Sequence, residues 1–107
     1  MQDLYALEEF QLAVIDLAIG TTIIQIRLAK SYVDHIIHVD VDRIPENLRA
    51  EFVELKKRLA GISFLSQDWN NVPVENIMND DAAQILAKQL VEMGFRINRE
   101  YEEESGL

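Results

Sequence analysis

The sequence predicts an all-α fold, a compact up-and-down bundle of about four helices in one domain covering residues 1–107. Apolar residues recur at spacings of three and four in four separate stretches, the signature of helices that each bury one face. The breaks between those stretches carry Gly, Pro and cap-type residues. A 49% apolar content in 107 residues suits a single domain with a real core. The expected helices span approximately 4–19, 23–38, 46–60 and 81–103.

In the first stretch, Leu4, Leu7, Phe10, Val14 and Leu17 form one stripe, and Leu12, Ile15 and Ile19 widen it. Asp3 is the expected N-cap, with Glu8 and Glu9 in the half where the helix dipole favours carboxylates. The apolar run continues through "AIGTTIIQIRLAK" (18–30), and the first question is whether the helix does too. Gly20 sits where a left-handed C′ glycine closes a helix. Thr22 and Gln25 have the spacing of a capping box, in which the Thr hydroxyl and the Gln side chain each satisfy an orphan N–H. The run therefore reads as two helices joined by a tight turn. A membrane span over residues 10–29 is disfavoured by Gln11, Asp16, Thr21, Thr22, Gln25 and Arg27.

The second helix places Ile24, Leu28 and Tyr32 on one stripe, broadened by Ile23, Ile26, Val33 and Ile37, and is expected to run to His38. A surface so wide belongs at the centre of a bundle or at a dimer contact. "DVDRIP" (40–45) is a connector, because Pro45 restricts the residue before it and is preorganised for the first turn of the next helix. The third helix carries Leu48, Phe52, Leu55 and Leu59 on one side, with Lys56, Lys57 and Arg58 in its last turn, where cations offset the dipole. Residues 62–79 lack a clear period and read as one long irregular connection, a kind of segment that often carries function. The final helix is capped by Asp81 with Gln84. Its core positions are Ala83, Leu86, Leu90, Met93, Ile97 and Tyr101; Glu92 with Arg96 and Arg99 with Glu103 support its wet side, and Gly94 weakens it locally.

Nineteen acids against ten bases give a formal charge of −9, and residues 1–26 and 59–87 contain acids but no Lys or Arg. A phosphate backbone or an anionic lipid surface is bound by clustered cations, so neither direct nucleic-acid binding nor membrane attachment is expected. The partner such a charge favours is a basic protein. The absence of cysteine excludes disulfides and thiol chemistry and fits a reducing compartment. "MQDLYALEEF" has acids where an export signal needs positive charge, so the expected localisation is cytoplasmic.

The candidate metal ligands are His35 and His38 with Asp34. If the second helix continues through His38, the two imidazoles lie one turn apart beside a carboxylate, as His/carboxylate metal sites require. The stronger H-E-x-x-H pattern is absent. No G-x-S-x-G elbow occurs and the four glycines are scattered, so neither a serine nucleophile nor a phosphate loop is expected, and the chain reads as a non-enzyme with no cofactor. Arg27 is expected to pair with Asp16 across the hairpin or to reach solvent. Trp69, in the long connection, either plugs the bundle end or anchors a partner.

The succession "GTTIIQIRLAKSY", "RIPENLRAEFVELKKRL" and "NIMNDDAAQILAKQLVEMG" resembles a group of small bacterial helical proteins of about this length. In that group a Gly-Ser or Gly-Thr turn precedes an R-L-containing helix and a Pro-x-x-Leu-Arg-x-x-Phe helix follows. The resemblance implies an all-helical fold and no particular activity, so no site residue carries over from it. The residues together lead to the expectation of a small, acidic, non-enzymatic interaction protein that binds a protein partner, basic or a second copy of itself, as neutraliser, regulator or small subunit. The alternative is a helical protein binding a metal or small molecule at the His35/His38 cluster.

Overall fold

The computed structural model describes residues 4–63 and 78–104. Within them the chain forms α1 (Tyr5–Ile19), α2 (Ile24–Asp34), α3 (Arg49–Ala60) and α4 (Asp80–Glu104). Three single 3₁₀ turns at Ile36–His38, Val41–Arg43 and Glu46–Leu48 connect α2 to α3, and no strand occurs among the described residues. Side-chain pairings give the directions. Phe10 and Val14 of α1 meet Gly94 of α4, and Leu7 shares a groove with Asn98. Arg58 meets Gln89 and Glu51 meets Arg96 between α3 and α4. Ser31 of α2 and His35, just past its end, meet Ala13 and Glu9 of α1. The helices therefore run up, down, up and down.

The core is built from the expected stripes of α3 and α4. Leu48, Phe52, Leu55 and Leu59 are buried, as are Ala83, Leu86, Leu90, Met93, Ile97 and Tyr101. Phe10 of α1 packs on Phe52 of α3 with ring centroids 6.0 Å apart, a tilted contact of the kind aromatic quadrupoles favour.

The turn between α1 and α2 sits where expected, but different chemistry makes it. Gly20 is extended (φ −66°, ψ 147°), not left-handed. Its missing Cβ matters for another reason, since a Cβ there would lie 2.5 Å from Arg27 Cδ and 3.0 Å from the Asp16 carbonyl oxygen. Arg27 folds back across this glycine and donates to the carbonyl of Leu17, which the end of α1 leaves open, and to that of Thr22 in the turn. The capping box does not form: α2 begins after Ile23 with no side-chain cap. Gln25 is instead buried and donates to the Met78 carbonyl and to Asp80 Oδ1, both at 2.8 Å, tying the start of α2 to the start of α4. At α4 the cap is Asn79, whose Oδ1 accepts from the Ala82 N–H at 2.8 Å, and Asp80 and Asp81 then lie in the first turn, where the dipole favours them.

α2 also ends earlier than its apolar pattern suggests, at Asp34. In the 3₁₀ turn that follows, side chains three apart eclipse, which places Ile36 and Val39 together in the core. The connector's carbonyls are held by side chains from two helices: Lys56 and Arg49 of α3 donate to Val39 (2.7 Å) and Ile44 (2.8 Å), and Tyr101 of α4 donates to Arg43 (3.3 Å). Among the described residues, no helix is long and apolar enough to cross a membrane.

Candidate functional site: the α1–α4 face

α1 carries large apolar residues on its solvent side as well as on its buried side. Its inner positions Ala6, Phe10, Ala13 and Leu17 are buried, while Leu12, Ile15 and Ile19, expected to widen that buried face, point to solvent. Ile19 is 72% exposed. Large apolar side chains on a helix ordinarily face the core, and here Leu12, Ile15 and Ile19 stand in solvent beside Glu8 and Gln11.

α4 extends the bare surface. Leu7, Val14 and Ile15 of α1 and Val91 and Phe95 of α4 line an apolar groove floored by Gly94. A second depression continues from Val14, Val91 and Phe95 toward Ala18 and Ala87. Phe95 belongs to both and is 66% exposed. Nearly three turns upstream, close to the start of α4, Ile85 is 60% exposed. A Cβ at Gly94 would meet Phe10 Cβ at 3.7 Å and Val14 Cγ2 at 3.9 Å, ordinary contact distances, so the packing of α1 on α4 leaves room for a methyl there.

On the side facing α2, α1 is held by polar ties. The His35 ring lies between two of its carboxylates, Nδ1 3.2 Å from Glu9 Oε2 and Nε2 2.8 Å from Asp16 Oδ2. A neutral imidazole has one N–H and can donate to only one of them; the imidazolium donates to both. Between those two anchors the Ser31 hydroxyl donates to the Ala13 carbonyl at 3.1 Å, fully buried. Asp16 is thus taken by His35, and Arg27, expected either beside Asp16 or in solvent, serves the carbonyls of Leu17 at the end of α1 and of Thr22 in the turn.

The expected metal cluster is dispersed by the early end of α2. His35 turns both ring nitrogens onto α1, whereas Asp34 and His38 are exposed. Among the described residues no group of three or more His, Asp or Glu side chains is placed to hold a metal ion. Trp69, the expected partner anchor, and most of the 62–79 connection lie outside the described residues. Phe95 is the aromatic that sequence reasoning missed. Its signal was available, since Phe95 falls off the stripe Leu86, Leu90, Met93, Ile97 and so had to face away from the core.

The opposite groove, between α3 and α4, is charged. Arg96 makes a two-pronged contact with Glu51 across it, one prong 3.1 Å long. The hydrogen bond from Arg96 holds the Glu51 carboxyl below the usual carboxylate range, and Glu51 in turn raises the Arg96 guanidinium. Arg58 donates to Gln89 at 3.0 Å farther along. These groups close on one another and seam two helices.

Compared with known protein families, curated proteins and solved structures, the chain matches none.

Proposed function

We propose that this chain is a non-enzymatic interaction protein, an acidic helical scaffold that presents the α1–α4 face to a protein partner as a neutraliser, a regulator or a small subunit of a larger assembly. The observation that carries the reading is the exposed apolar groove that Ile15 of α1 shares with Phe95 of α4, with Leu12 and Ile19 also exposed on α1. Contiguous exposed apolar surface of this kind marks interaction sites in soluble proteins. A large aromatic such as Phe95 is the residue type that anchors interfaces, because it buries much area with little rotamer entropy to lose. The ties from α2 to Glu9, Ala13, Asp16 and Leu17 hold α1 in place before anything binds, and such preorganisation lowers the cost of association.

The test is co-purification from the source cells with the wild-type chain and with Ile15→Ser/Phe95→Ser. A stoichiometric protein retained by the wild type and lost with the double variant, at an unchanged melting temperature, is the expected result. Retention that the double variant leaves intact would refute the assignment of this face.

A further inference from the structure

The charges around the bare face specify what could lie on it. At the end where α1 starts and α4 finishes stand Glu8 and, on α4, Glu102 and Glu103, all exposed, with Glu102 Oε1 accepting from the Asn98 amide at 3.2 Å. At the other end Asp81, one turn before Ile85, is exposed in the first turn of α4. The cations nearby are mostly engaged: Lys88 pairs with Glu92 at 3.8 Å, and Arg27 is folded onto carbonyls. Arg99, one turn beyond Phe95, is the base on this rim.

The acids at the end of α4 also work against the helix that carries them. A helix C-terminus is the negative pole of the dipole and favours Lys or Arg, yet the last turn of α4 has no base and is rich in glutamate. A cationic partner would offset that unfavourable placement.

Resting on the reading above, we infer that the face receives a short basic amphipathic helix from another protein. Two antiparallel helices leave a groove that a third helix fills. The exposed apolar length from Leu7 to Ile19 is about 18 Å at 1.5 Å per residue, which a partner helix of about 12 to 15 residues would cover. Its apolar residues at i, i+3/i+4 and i+7 meet Ile15, Val91 and Phe95, and its Lys or Arg residues at the two ends meet Glu8 with Glu102 and Glu103, and Asp81. A second copy of this chain is the poorer occupant, because it brings its own charge of −9 against the same acids.

The experiment titrates the full chain with three synthetic helical peptides by fluorescence anisotropy and measures the chain alone by sedimentation. One peptide carries a Leu stripe with Lys and Arg at both ends; the second has the same stripe with Glu for every base; the third has the basic composition with its leucines scrambled. We expect the first alone to bind, with affinity falling on the order of tenfold or more between about 50 and about 300 mM salt. Ile15→Ser/Phe95→Ser should abolish that binding, and Glu102→Lys/Glu103→Lys should weaken it without lowering the melting temperature. Equal binding of the basic and acidic stripes would overturn the basic partner while leaving the interaction face standing. Failure of every peptide would overturn the inference. If the chain alone then sediments as a dimer that Phe95→Ser dissociates, the occupant is a second copy and the face again survives.

Discussion

Along its inner face α1 carries Ala6, Phe10, Ala13 and Leu17, and along its outer face Leu12, Ile15 and Ile19. Both rows are apolar and both keep helical spacing, yet one is sealed against three helices and the other meets water. The inner row alternates small residues with large ones, so α2 approaches closely and its Ser31 and Arg27 reach the α1 backbone at Ala13 and Leu17. The outer row is all large and branched, a composition suited to filling someone else's groove. Amphipathic periodicity therefore identifies a row of residues without telling whether a neighbour covers it.

The sharpest way to break that contrast is to truncate one phenylalanine on each side. Phe10 is fully buried against Phe52 and Gly94, so Phe10→Ala should lower unfolding stability by about 3 to 5 kcal/mol. Phe95, 66% exposed, has little burial to lose, and Phe95→Ala should lower stability by less than about 1 kcal/mol. Urea denaturation of the two variants decides it. Comparable losses would mean that something in the free protein already covers the outer face.

A smaller effect is expected from the imidazole that ties α1 to α2. His35 is hydrogen-bonded to both Glu9 and Asp16, and its side chain is only 16% exposed. Hydrogen bonds to charged groups contribute about 1.5 to 3 kcal/mol when well shielded. Asp16, at 39% exposed, lowers that through solvent screening. His35→Ala should therefore cost about 1 to 2 kcal/mol. His38→Ala, on an exposed side chain, should change stability by less than about 0.5 kcal/mol. Equal losses from the two would sink the assignment of His35 as the tie.

Gly94 sharpens the comparison from the opposite direction. A methyl there finds neighbours at ordinary contact distance and removes the conformational penalty of glycine within a helix, so Gly94→Ala should raise stability by about 0.5 to 1 kcal/mol, read as a melting temperature a few degrees higher. A fall instead would show that α1 and α4 are packed more tightly than those distances allow, leaving the groove floor no room.

How much of this was legible in the sequence depends on how far apart the interacting residues lie. The core rows of α3 and α4 and the break at Gly20 follow from local periodicity and from residue types within a few positions. Gln25 was misread because its local spacing to Thr22 matches a capping box, while its actual partners, Met78 and Asp80, are more than fifty positions away. His35 and His38 suggested a shared ion only while the helix was assumed to continue; two carboxylates of α1, 19 and 26 positions back, draw the imidazole elsewhere. Asn79 was overlooked in favour of Asp81 because both are good cap residues and only the backbone decides which one stands at the boundary. The outer row of α1 was visible as residues but not as a surface, since exposure depends on where the other helices stop.

The smallest expected effect lies in the charged seam between α3 and α4, and pH reads it. Arg96 lowers the Glu51 carboxyl from its ordinary 4.5 in the folded chain. A group whose folded value is depressed contributes stability above its unfolded value and loses it as pH falls through the folded one. Wild type should therefore exceed Glu51→Gln by a small, constant margin near neutrality, and the margin should close as pH drops below about 4.5. Both side chains are substantially exposed, 56% for Glu51 and 40% for Arg96, so added salt should shrink the margin as well. Stability curves of the two chains that stay parallel from neutral pH into the acid range would mean that the pair adds nothing. In that case α3 and α4 are held together by their buried apolar rows alone.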